Sequence, residues 1–162
     1  MLELSPEQTL DYFRRSYSSV DGLWFMKVEE EDGFDKALEL DEKVWQVMPK
    51  IQARAMKTFL GKKSGLDALR ECFETKLSLD GFVYSVTADE TSFTVRISHC
   101  PWYDKLVKSK REHFGDKIAN RICKAEYAGW AAEFGCAFMF NRPGRICSGC
   151  TDCELKFQGK KS

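Results

Sequence analysis

"GFVYSVTADETSFTVRI", residues 81–97, is the stretch at which the pattern of the chain changes. Phe82, Tyr84 and Val86 recur at a step of two, "TADETS" supplies turn residues, and Phe93, Val95 and Ile97 resume the same step. Side chains two apart lie on one face of a strand, so the stretch predicts a β-hairpin with one buried face. Apolar residues before it recur at steps of three and four, the period of a helix.

Working backwards, Leu66, Leu69, Cys72, Phe73 and Leu77 predict a short helix that ends at Asp80-Gly81. "GKKSG" (61–65) reads as a loop. A longer helix is expected from about Phe34 to Leu60, with Ala37, Val44, Val47, Ile51, Ala55 and Phe59 as its buried stripe and a kink at Pro49. The first helix starts at "SPEQ" (5–8), where Ser5 and Gln8 form a capping box and Pro6 occupies the first turn. Its apolar face is expected to be Leu10, Phe13, Tyr17, Val20, Trp24 and Val28, and Asp32-Gly33 ends it.

Working forwards, a helix is expected from Pro101 to about Phe114, a break at Gly115, and a second helix from about Asp116 to Glu133. "CAFMF" (136–140) reads as a strand, "NRPG" (141–144) as a turn, and "CELKF" (153–157) as a last strand with Cys153, Leu155 and Phe157 on one face. The order is three helices followed by ββααββ. This predicts an α+β fold: N-terminal helices with a four-stranded antiparallel sheet. Hairpins 82–97 and 136–157 should pair in one sheet, with helices 102–132 between them. The expected organisation is a single domain, 1–162, with a helical half (1–80) and a ββααββ half (81–162).

The chain has 162 residues, enough for a proper core, and 25 basic side chains balance 25 acidic ones. That neutrality argues against nucleic acid or an anionic membrane surface as the main partner. "MLELSPEQTL" has neither a basic nor an apolar leader region, and no stretch has the length of apolar residues that a membrane span needs. A cytoplasmic location follows as the expectation, and a homodimer is an open alternative to a monomer. In that compartment thiols stay reduced, so the seven cysteines point to metal or catalysis before disulfides.

Three of them lie in "CSGCTDC" (147–153), in which Cys147, Cys150 and Cys153 are spaced by three in a Gly/Ser/Asp turn. This spacing lets thiolates converge on one centre, as iron–sulfur loops do. A fourth ligand would be Cys100, followed by Pro101, or Cys123. Zinc suits four thiolates equally well, so the metal is open between zinc and an iron–sulfur cluster. The plainer alternative is packing: Cys147 as a loop thiol and Cys153 as a small core residue.

"CKAEYAGW" (123–130) places Cys123, Glu126, Tyr127 and Trp130 on one helical face. A thiol, a carboxylate and an apolar wall are what a small-molecule site needs; an amphipathic helix packed on a core would look the same. Trp24, on the first helix, is a further candidate wall for a ligand. Cys72 and Cys136 fall on apolar faces and read as core, as do Asp41 and Trp45 on the second helix. His99 and His113 are the only histidines, which removes a histidine-rich zinc site and leaves a Ser-His-Asp triad without support.

"HCPWYDKLVKSKREHF" (99–114), "ICKAEYAGWAAEFG" (122–135), "FMFNRP" (138–143) and "CSGCTDCELKF" (147–157) resemble the L-2-amino-thiazoline-4-carboxylic acid hydrolase-like proteins. "DGLWFMKVEEEDGFDKALELDEKVW" (21–45) is similar to a prokaryotic group related to them, and the ββααββ half resembles the 4-vinyl-reductase-type ligand-binding domain. The resemblance implies ring-opening hydrolysis of a small thiazoline carboxylate and carries over Cys100, Cys123, Glu126, Cys150 and Cys153. Cys147 departs from it, because a simple hydrolase has no evident need of a third turn cysteine.

Two functions stand as expectations. In the first, thiolates hold a metal, Glu126 is general base, Cys123 joins the catalytic group, and Tyr127, Trp130 and Trp24 wall a small-molecule substrate. In the second, a non-catalytic small-molecule or redox sensor carries an iron–sulfur or zinc site that stabilises it.

Overall fold

The computed structural model describes residues 3–141 and 144–159. The chain forms two compact units, Met1–Lys43 and Val44–Ser162, so the division falls before residue 80, inside the helical half.

The N-terminal unit contains helix α1 (Pro6–Asp32) and most of α2 (Phe34–Trp45). Helix α1 starts as its sequence dictates. The Ser5 hydroxyl accepts from the Gln8 N–H, the Gln8 side chain accepts from the Ser5 N–H, and Pro6 fills the first turn. Gly33 ends it at φ 84, a conformation that suits glycine. The buried face differs from expectation. Ser18 and Phe25 are buried, whereas Phe13 is 63% and Val20 67% exposed. Phe25 packs edge-on against Phe34, with ring centroids 5.6 Å apart.

The expected single helix from 34 to 60 is two helices. Helix α2 stops at Trp45, and α3 (Met48–Leu60) begins with Pro49 in its first turn. A proline there fixes φ without breaking a hydrogen bond, so it starts a helix instead of kinking one. The break resets the phase. Ala53 and Met56 are buried, while Val44, Val47, Ile51 and Phe59 of the expected stripe are exposed.

In the C-terminal unit, α4 (Leu66–Asp80) buries Leu69, Cys72, Phe73 and Leu77 and ends at left-handed Gly81. Strands β1 (Val83–Ala88), β2 (Ser92–His99), β3 (Cys136–Phe140) and β4 (Cys153–Gly159) form one antiparallel sheet of order β1-β2-β4-β3. The α+β architecture read from the change of period is therefore present, with both hairpins in one sheet. Between them lie α5 (Pro101–Lys108), a 3-10 turn at Glu112–Phe114, and α6 (Gly115–Glu133). Gly115 begins α6; the break precedes it, at the residues that follow α5. The "NRPG" turn falls partly on residues 142 and 143, outside the described ones.

The inner face of the central strands is the predicted one. Phe93 pairs with Phe157, Val95 with Leu155 and Ile97 with Cys153, and all but the cysteine are at most 1% exposed. Phe73 brings α4 onto this face, 5.0 Å from the Phe157 ring, and Trp130 brings α6, 5.6 Å from the Phe73 ring. Such pairs add to the apolar burial that holds the layers together. Helices α3 and α6 cross closely at Gly129, where a Cβ would come within 2.9 Å of the Pro49 Cβ.

A cavity lined by four thiols

Cys100, Cys123, Cys147 and Cys153 come from four different segments and line one cavity of about 70 Å³. Cys100 caps the N-terminus of α5, in extended conformation, directly after β2 and before Pro101. Cys123 lies near the middle of α6. Cys147 sits in the 3-10 turn Ile146–Ser148, and Cys153 opens β4 across from Ile97. The turn is held against the start of α6. A Cβ on Gly115 would approach the Cys147 Cβ to 2.9 Å, so only glycine admits this contact without displacement. The Ile146 N–H donates to the Cys153 sulfur at 3.4 Å, which ties both ends of the cysteine loop together.

Cys150 stands apart. It is exposed, does not line the cavity, and packs its sulfur where a Gly144 side chain would be. The regular spacing of three thus brings the outer two cysteines of the loop inward and turns the middle one out. No disulfide joins any two of the cysteines among the described residues. Among the described residues, no group of three His, Cys, Asp or Glu side chains is arranged to hold a metal ion; the four thiols ring the cavity without converging.

The remaining lining is apolar or aromatic, with Phe82, Trp102, Tyr103, Tyr127 and Phe140 prominent, and Arg145 supplies its only charge among the described residues. Burial pushes the Cys100 thiol up to about 11, although the backbone N–H groups of Trp102 and Tyr103 favour its thiolate. Burial also holds Cys123 well above the ordinary thiol range, with further contributions from Glu126 and the other three thiols of the cavity. Cys147 is raised by burial and partly relieved by Arg145. Each thiol opposes ionisation of its neighbours, so several can be thiolates together only with a cation among them.

Glu126 has a different environment. It lies one turn beyond Cys123, yet does not line the cavity. Its carboxylate accepts a short hydrogen bond from the Lys76 ammonium, and both side chains are about 5% exposed. Lys76 also pairs with Asp80 at 3.1 Å, and its ammonium lies 5.3 Å from the Phe82 ring centroid. Burial raises the Glu126 carboxyl, and Lys76 draws it part of the way back. For Lys76, burial is outweighed by Glu126 and Asp80, so the ammonium stays protonated well past the ordinary lysine range.

Of the expected walls, Tyr127 lines the cavity. Trp130 does not; it is fully buried in the core, stacked on Phe134. Trp24 belongs to the N-terminal unit and is 43% exposed. His99 pairs with Asp104 on the surface at 3.3 Å, and His113 is exposed beside Phe114. Cys72 and Cys136 are core residues, as read.

Two residues of this region were not anticipated. Lys76 carries a legible signal, since it follows Cys72 and Phe73 by four and three residues on the apolar face of α4. Arg145 carries almost none, being a basic residue in a glycine-rich turn.

Residues 3–141 match the model of a family of unknown function, DUF6125, and the chain belongs to that family. The matched region includes Cys100 and Cys123 and ends before Arg145, Cys147 and Cys153. No curated protein matches the chain.

Proposed function

We propose that the C-terminal unit is a sensing module built around a thiolate-held metal centre, with Cys100, Cys123, Cys147 and Cys153 as ligands. The observation that carries this reading is the meeting of four cysteines, from four segments, around a single small cavity. Its volume of about 70 Å³ is far below the roughly 300–1,000 Å³ of pockets that enclose drug-sized ligands. The donor type also suits zinc or an iron–sulfur cluster, since the described lining offers four sulfurs and neither imidazole nor carboxylate; the thiols would have to draw together around the ion. A metal bound there would supply the positive charge that lets buried thiols ionise, and would link four segments of the fold in one step.

Four thiolates fill a tetrahedral site and leave no open position, which favours sensing or stabilisation over hydrolysis. The ring-opening reaction implied by the thiazoline-hydrolase resemblance needs Glu126 as a base. Lys76 holds that carboxylate outside the cavity, so the sensor reading is preferred. A reducing compartment such as the cytoplasm would keep the thiols available, and the signal would be a small molecule or the redox state of the centre.

The test is elemental analysis and a visible spectrum of protein purified without oxygen. Near-stoichiometric zinc without colour, or iron with sulfide and charge-transfer bands, supports the reading. Protein that is metal-free as isolated, and takes up neither zinc nor iron when reduced, sinks it.

A further inference from the structure

We propose that Arg145 is the charge-balancing partner of this centre and donates a hydrogen bond from Nε to one of its thiolates, an inference that rests on the metal reading above. Arg145 is 8% exposed and lines the cavity with Cys123 and Cys147, two residues upstream of the latter. Its Nη2 is fully engaged, donating to Asp116 Oδ1 and Asn120 Oδ1, each at 2.8 Å. The guanidinium stacks over Phe140, 4.9 Å from the ring centroid. Asp116 Oδ1 also accepts from the Ser148 hydroxyl at 2.7 Å, so this network anchors the cysteine turn to the first turns of α6.

Anchoring explains Nη2 and leaves Nε unexplained. Nε is buried and has no hydrogen-bond partner among the described residues. A buried donor without an acceptor is costly, and native proteins rarely leave one so. A neutral thiol is a weak acceptor, whereas a metal-bound thiolate is a good one, so the missing partner is one that the loaded site would supply. Charge points the same way. A divalent ion held by four thiolates carries a surplus negative charge. Burial of that charge demands a cation. Lys76 is committed to Glu126 and Asp80, which leaves Arg145 as the charged side chain in the lining. Groups that hydrogen-bond metal ligands in this way set affinity and electronic properties.

The experiment uses Co²⁺ as a coloured probe of thiolate coordination, titrated into reduced, metal-free protein against a competing chelator. Four proteins are compared: wild type, Arg145→Met, Arg145→Lys and Asp116→Asn. The expected result is a loss of Co²⁺ affinity of about 10- to 100-fold for Arg145→Met, with a shifted sulfur-to-cobalt charge-transfer band. Arg145→Lys restores charge without the planar donor, so affinity recovers in part while the band stays shifted. Asp116→Asn weakens the anchor of the cysteine turn but leaves Nε in place, so affinity falls by less than in Arg145→Met and the band stays near wild type. Equal affinity and band for Arg145→Met and wild type overturns the proposal, as does a loss in Asp116→Asn as large as in Arg145→Met. Should Arg145→Met fail to fold, an unshifted band in Arg145→Lys overturns it instead. Wild-type protein that binds no Co²⁺ fails earlier, at the metal centre itself.

Discussion

Cys123 and Glu126 sit one helical turn apart on α6, yet they belong to two regions with opposite chemistry. On one side Cys123 and Tyr127 line a cavity of thiols in which Arg145 is the charged side chain among the described residues. On the other, Glu126 is locked to Lys76 of α4 in a buried pair that is complete without any ligand. At about 100° per residue, positions three and four beyond Cys123 fall on either side of it, so a helix wedged between another helix and a cavity sends them to different neighbours. Residues that share a helical face therefore need not share a site. Saturation separates the two regions: the ion pair meets its own charges, whereas the thiols, held neutral by burial, would need an added cation to ionise together.

The comparison breaks most visibly if the ion pair is disrupted. Lys76→Met leaves Glu126 buried and uncompensated, and should cost about 3–5 kcal/mol in urea unfolding. The double variant Lys76→Met/Glu126→Leu should recover most of that loss, since an apolar pair replaces both charges. A double variant as unstable as the single one would mean that the pair is no closed unit.

As pH rises the thiol side should respond before the ion pair, whose lysine begins to lose its contribution only above the ordinary lysine value of 10.5. Cys100 is raised to about 11 in the fold, from 9.0, so its contribution to stability is fully present below pH 9. Above that, the unfolded chain ionises first and stability falls as pH climbs towards 11, by on the order of 2 kcal/mol. Urea midpoints of metal-free protein between pH 8.5 and 11 measure this, and Cys100→Ala should make that part of the curve shallower, with the rest of the fall left to Cys123 and Cys147.

Within the cysteine loop, Cys153→Ser should lower metal affinity at least tenfold, about 1.4 kcal/mol, in chelator competition. Cys150→Ser should retain full metal and change stability by no more than about 0.5 kcal/mol, as expected of an exposed position. Equal losses from the two variants would place the middle cysteine in the centre after all. The smallest effect concerns the frame around both regions. Gly129→Ala gains about 1 kcal/mol of helix propensity and loses about 1–3 kcal/mol to the clash with Pro49. A net loss near 1 kcal/mol in thermal unfolding is expected.

The strands were legible because period two is imposed by the pleat itself: Phe93, Val95 and Ile97 had to share a face once they were in a strand. Helical faces were less so. In α1 the expected stripe ran through Phe13, Val20 and Trp24, while Ser18 and Phe25 are the buried positions. Apolar residues surround that helix on several sides, so more than one stripe at the same period can be drawn. Pro49 misled because its effect depends on whether it falls in the first turn, and the break at residues 46 and 47 has no signal of its own. At the site, residue type predicted a thiol cluster, and four of the five candidate cysteines line the cavity. Which thiol of "CSGCTDC" would turn outward depends on the 3-10 turn and on Gly115, contacts between segments that no local spacing encodes.

The register of the two central strands sets when this site can exist. Ile97 of β2 faces Cys153 of β4, and the intervening chain includes α5, α6 and β3. Closing so long a loop is entropically expensive and slow compared with winding a helix. Cys100 and Cys153 are distant until that pair has zipped, whereas α6 with Cys123 can form early. The cavity thus requires that long-range pairing, and an ion held by Cys100 and Cys153 together would favour the paired state.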